Sequence, residues 1–129
     1  MDILYRFANA SLTLRVVEHL TQLRFVADVT VTIVHQLDGW VLRLELDHLV
    51  CPRDILDLRA LLSEFGEAFK PQGTLKVALW RLDIGESPVT VMRRQQVAIV
   101  SYGQPNRSDI EEFCKQFISG LGYCPATLV

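Results

Sequence analysis

Two alternating segments followed directly by a helical seam constrain this chain more than any other feature. In Phe25–Gln36, Asp28, Thr30 and Thr32 alternate with Ala27, Val29, Val31 and Ile33, the period of a strand with one wetted face. Leu37, Asp38 and Gly39 turn the chain. Trp40, Leu42, Leu44 and Leu46 then point one way and Arg43, Glu45 and Asp47 the other, so the two runs read as an antiparallel hairpin over one core. On this reading Glu45 and Asp47 are solvated strand charges and Asp38 belongs to the turn. Pro52 stops the second strand and suits the first position of a helix, where its missing N–H costs nothing. Ile55, Leu58, Leu62, Phe65 and Phe69 recur at alternating steps of three and four, which predicts burial against Val29, Val31, Ile33, Leu42 and Leu44.

At 129 residues the chain reads as a single globular domain, 1–129, able to bury a core without disulfides or a structural metal. Half of its residues are apolar and its mean hydropathy is positive, more than a small globule needs inside, so some apolar surface is expected to meet another chain. The formal charge of −2, spread along the chain, argues against nucleic acid or an anionic membrane surface as partner. Met1–Arg6 lacks the basic start and apolar run of a secretory signal, and no stretch is long enough to span a bilayer; the expected location is cytoplasmic. Cys51, Cys114 and Cys124, odd in number and irregular in spacing, suit a reducing compartment and predict three free thiols.

The N-terminal segment from Asn9 to Arg24 predicts a helix, capped by Asn9 or Ser11, with Leu12, Val16, Leu20 and Leu23 on one stripe. Leu14 and Val17 lie off that stripe and are the expected interface residues, for self-association or for a protein partner. After the turn cluster Lys70–Gly73, the alternation of Leu75, Val77 and Leu79 with Lys76, Ala78 and Trp80 predicts a strand over Thr74–Leu82. Ser87-Pro88 can start a short helix reaching Gln95, although Val89, Thr90 and Val91 fit a strand as well. Gln96–Tyr102 predicts a strand buried on both faces, hence central. Ser108 with Glu111 forms a capping-box pattern for a closing helix whose face is Ile110, Phe113, Cys114, Phe117, Ile118 and Leu121.

Catalytic and metal chemistry find little footing. His48, Cys51, Cys114 and Cys124 include no Cys-x-x-Cys and no ligand pair at helical spacing, so no metal or other cofactor is expected. Cys51 precedes a helix start, where the dipole favours a thiolate, but no family signature surrounds it. His19 and His35 stand alone among apolar neighbours. Neither Gly-x-Gly-x-x-Gly nor a Walker-type sequence is present. One group survives as a binding candidate. Arg81, Arg93 and Arg94 flank the short element, and Tyr102, Asn106 and Arg107 lie in or beside the last loop, a set suited to carboxylates or to an acidic segment of a partner.

The expected fold is an α/β (α+β) sandwich, with a mixed four- to five-stranded sheet containing the antiparallel hairpin and three principal helices. From the hairpin onward, this order and the run Val41–Phe65 resemble STAS domains, regulatory modules of the anti-sigma-factor-antagonist class. The resemblance implies a later strand leading to a phosphorylatable serine at a helix start. Ser87, after Asp83-Ile84-Gly85-Glu86, is the corresponding position, although the Asp-Ser-Ser-Gly-type signature is missing. The leading functional expectation is a non-catalytic protein-interaction or assembly module, self-associating or docking to a partner. Second comes a STAS-like regulatory domain that binds a small anion or is phosphorylated on serine, and third a small cysteine-dependent enzyme.

Overall fold

The computed structural model describes residues 2–36, 39–47 and 49–128. The expected turn residues Leu37 and Asp38, together with His48, lie outside them. The described chain runs β1 (Asp2–Phe7), α1 (Ala10–Thr21), β2 (Val29–Gln36), β3 (Gly39–Leu46), α2 (Pro52–Phe65), β4 (Glu67–Ala68), α3 (Gly73–Asp83), α4 (Pro88–Gln95), β5 (Ala98–Gly103) and α5 (Arg107–Leu121), with short 3-10 turns at Val26–Asp28 and Ala126–Leu128. The five strands form one open sheet in the order β4-β1-β3-β2-β5.

The α/β class, the five-stranded sheet and the hairpin stand as read from the sequence. β2 and β3 pair antiparallel from Val29 opposite Leu46 to Gln36 opposite Gly39, in the register that puts the two alternating faces together. Other expectations are corrected. Every strand pairing is antiparallel, so the sheet is not mixed and needs no parallel crossover. The helices number five among the described residues rather than three. Asp2–Phe7, for which no element was expected, is the strand beside β3. The segment expected as a strand over Thr74–Leu82 is the helix α3. Its Leu75, Ala78, Leu79 and Leu82 fit the helical steps of three and four as well as Leu75, Val77 and Leu79 fit alternation, and it buries the helical set. β5 is an edge strand, not a central one, and its Ala98, Ile99 and Val100 are only half-buried.

One face of the sheet carries Ile3, Tyr5 and Phe7 of β1, Val29, Val31 and Ile33 of β2, and Trp40, Leu42, Leu44 and Leu46 of β3. α1, α2 and α5 cover it with Val16, Val17 and Leu20, Leu58 and Leu62, and Ile110. Leu58 and Leu62 are buried as the seam predicted, with Ile55 and Phe65 half-buried beside them, but Phe69 lies past the end of α2 and packs on the opposite face. Asn9 caps α1 by accepting the Leu12 N–H at 2.9 Å, and Pro52 opens α2. At the end of α2, a Cβ on Gly66 would run into the Arg6 carbonyl and the Phe7 ring, so only glycine lets β4 lie against β1 there.

The other face is covered by α3 and α4. Leu75, Ala78, Leu79, Leu82 and Val91 pack on Val34 and Val41, with Leu4 and Ile99 at the margin. The molecule is therefore a three-layer sandwich with unequal outer layers.

Candidate functional site

The second sheet face is half apolar and half ionic. Beyond the patch under α3 and α4 lies Arg43, expected on a solvated face but with a side chain only 3% exposed. Its guanidinium reaches Asp83 at the end of α3 (Nη1–Oδ1 2.9 Å), Glu45 on its own strand (Nη2–Oε1 2.8 Å) and the Thr32 hydroxyl at 3.4 Å. A buried guanidinium is tolerable only with such partners. Burial pushes the Glu45 carboxyl above its ordinary 4.5, outweighing the pull of Arg43, and Asp2 and Asp83 push the same way. The result is a clasp in which Asp83, itself 46% exposed, reaches Arg43 and holds the end of α3 to the sheet.

The outward side of α3 shows the opposite character. Val77, Trp80 and Ile84 are 39%, 56% and 57% exposed, and Val89 on α4 is 55% exposed. Residues 77, 80 and 84 fall within about 60° of one another around the helix, opposite its buried set, so they form one exposed apolar stripe. Elsewhere Leu49, Leu56, Tyr123, Tyr102 and Leu121 are exposed at 76%, 67%, 64%, 44% and 43%, on segments outside α3 and α4, and scattered apolar exposure is ordinary for a surface.

The structure divides the six expected binding residues. Arg81 and Arg94 converge on Glu86, with Arg81 Nη1 3.1 Å from Oε2 and Arg94 Nη1 3.5 Å from Oε1. The exposed Arg93 side chain makes no ion pair or hydrogen bond among the described residues, and the buried Nε of Arg81 has no acceptor there. Tyr102 sits opposite Thr32 in the sheet, on the ionic half. Asn106 caps α5 by accepting the Ser108 N–H at 2.9 Å, in place of the Ser108 box expected. Arg107 ties α5 to α1 through Glu18 at 2.7 Å and pairs with Glu111 at 2.8 Å. Asn106 and Arg107 therefore hold the first layer together and do not join the arginines of α3 and α4.

The expected interface residues Leu14 and Val17 lie within the domain. Val17 is fully buried in the first core and Leu14 is half-buried against it, because α1 lies among β1, β3, α2 and α5 and fills its wide apolar face within the domain. The α3 stripe escaped the sequence reading because a strand assignment sends Trp80 and Val77 to opposite faces. The steps 77, 80 and 84 were the available signal.

The remaining chemistry is sparse. The three cysteines are free; Cys51 is exposed before α2, and burial pushes the Cys114 thiol up, with Cys124 adding to the shift. Ser87 caps α4, accepting the Thr90 N–H at 3.3 Å, but it follows a helix where the STAS resemblance implied a strand. His35 stands in an aromatic cluster, 4.9 Å from the Trp40 ring and 5.5 Å from Phe113 and Phe117 between ring centres. Its Nε2 is buried without a hydrogen-bond partner, and burial lowers its pKa from 6.5. Among the described residues no group of three His, Cys, Asp or Glu side chains converges as metal ligands, and no helix is long and apolar enough to cross a membrane.

No family model and no curated protein matches this chain. Among solved structures it is similar to the C-terminal domain of YpbH, at 17% identity with a TM-score of 0.52, covering 81% of this chain and 90% of that one. That likeness shows a shared fold.

Proposed function

We propose that this chain is a non-catalytic protein-interaction module whose docking surface is the outward face of α3 and α4. The observation that carries the reading is the row Val77, Trp80 and Ile84, more than a third exposed on the face of α3 opposite its core side. A helix in a monomeric globule normally turns polar residues to that side, and an apolar row there favours association by the area that a partner removes from water. Tryptophan and arginine are the side chains that most often carry binding energy, and Trp80 stands one residue from Arg81 with Arg93 and Arg94 on the next helix. The surface also belongs to the thinner layer, so docking there leaves the main core intact.

A photo-reactive residue placed at position 80, with a second at exposed Arg15 on α1 as control, tests this in cells of the source organism. A discrete adduct from position 80 and none from position 15 is the expected result. Equal adducts from both positions, or none from position 80, would overturn the assignment. Light scattering of the purified chain then tells a second copy from a different protein.

A further inference from the structure

We infer that the partner of the α3–α4 face is an acidic amphipathic helix of another protein, an inference that rests on the docking reading above. Segment 73–95 contains four cations, Lys76, Arg81, Arg93 and Arg94, and two carboxylates, Asp83 and Glu86, whereas the rest of the chain holds nine cations and thirteen carboxylates. The layer is thus positive on a molecule that is otherwise negative. Its two carboxylates offset only part of that charge. Asp83, with a side chain 46% exposed, is paired with Arg43, and Glu86 is shared between Arg81 and Arg94. Lys76 and Arg93 have no ionic partner among the described residues, and the buried Arg81 Nε lacks an acceptor. Carboxylates arriving beside the apolar row would meet Lys76 and Arg93 and would share Arg81 and Arg94 with Glu86.

The shape of the row argues for a helix. Val77 to Ile84 spans about 10 Å along α3, two turns, which matches the apolar seam of a second helix laid along it. An extended peptide would bring backbone N–H and C=O groups against a helix whose own backbone is already paired, leaving them without partners. A helix brings its backbone satisfied. A second copy of this chain fits less well, because like-charged layers would face each other across a two-fold axis.

Three synthetic peptides of about four turns test the inference. The first has a leucine seam with glutamates elsewhere, the second replaces those glutamates by lysine, and the third scrambles the acidic sequence so that no seam forms. Trp80 reports docking directly, because Trp40 is fully buried with its Nε1 donating to the Thr127 carbonyl at 2.8 Å. The acidic amphipathic peptide is expected to shift Trp80 emission to the blue and to shield it from acrylamide, with binding at least about tenfold tighter than either control. Lys76→Gln with Arg93→Gln removes two cations that hold nothing in the fold, and should weaken that binding several-fold while leaving the thermal midpoint in place. Added salt should weaken it as well. Equal binding of the lysine peptide would overturn the acidic partner, and equal binding of the scrambled peptide would overturn the helix. Silence from all three peptides, with an adduct still formed at position 80, would discard this partner and keep the docking surface. Silence with no adduct would discard both, and a dimer that shields Trp80 in the purified chain would replace the proposed partner by a second copy.

Discussion

The two faces are built from the same sheet and end in different states. On the first face, nineteen buried apolar residues among those described form one continuous core under α1, α2 and α5. On the second, seven do so under α3 and α4, and the ground beyond them is held by Arg43 with Glu45, Asp83 and Thr32. The first face secures the fold by area removed from water, which is insensitive to direction and tolerant of rearrangement. The second relies on a smaller apolar patch and a directional ionic clasp. The layer with less to hold it is also the one whose outer side is apolar and basic, and layers of that kind open at lower free energy than the main core.

The largest test of this contrast is a pair of truncations. Leu62→Ala on the first face should cost about 2–5 kcal/mol in urea unfolding, and Leu82→Ala on the second should fall at the low end of that range, because a thin layer can settle into the space left behind. An equal or larger cost at Leu82 would mean that α3 and α4 are as integral to the core as α2. Next comes the clasp. Arg43→Met should cost about 2 kcal/mol, less than the usual penalty for splitting a buried pair, since Glu45 and Asp83 are exposed enough to rehydrate. Amide exchange should then quicken in α3 and α4 first; acceleration spread evenly over all five helices would show that Arg43 supports the sheet itself.

The faces should also respond to pH in opposite directions. His35, on the first face, has its pKa lowered by burial, so its contribution is present above 6.5 and is lost as pH falls through the folded-state value. Glu45, on the second, has its pKa raised, so its contribution is present below 4.5 and is lost as pH rises through the folded-state value. In urea midpoints measured from acid to neutral pH, His35→Phe should remove the loss on the acid side. Glu45→Gln should gain on the wild type as pH rises, despite the 2.8 Å contact with Arg43. A Glu45→Gln variant that is less stable at neutral pH would show that this ion pair outweighs burial. The smallest expected effect is at Gln96, left-handed at φ 54° where α4 ends. Gln96→Gly should stabilise by less than about 1 kcal/mol, by relieving a backbone conformation that side chains disfavour.

The hairpin, α1, α2 and α5 were legible because each carries one apolar period with a matching start or stop: Asn9, Pro52, and the break before Ser108. α3 was not. Leu75, Val77 and Leu79 satisfy alternation while Leu75, Ala78, Leu79 and Leu82 satisfy the helical period, and eleven residues are too few for either pattern to exclude the other. That single ambiguity hid the site as well, since it removed the helix on which Trp80 and Ile84 align. It also left Arg43 without the layer that covers it, so a buried guanidinium read as an ordinary solvated charge.

The sequence by itself determined the two-faced hairpin, the seam of α2 and the class of the fold, because periodicity reports which side of an element is apolar. Only the tertiary structure decided what lies on each side. Burial of Arg43 and Val17 depends on neighbours distant along the chain, and exposure of Trp80 depends on Leu75, Ala78, Leu79 and Leu82 having already taken the sheet. An apolar residue carries the same local signal whether it meets its own core or faces outward; which of the two it does is settled by how many apolar faces the assembled layers can cover.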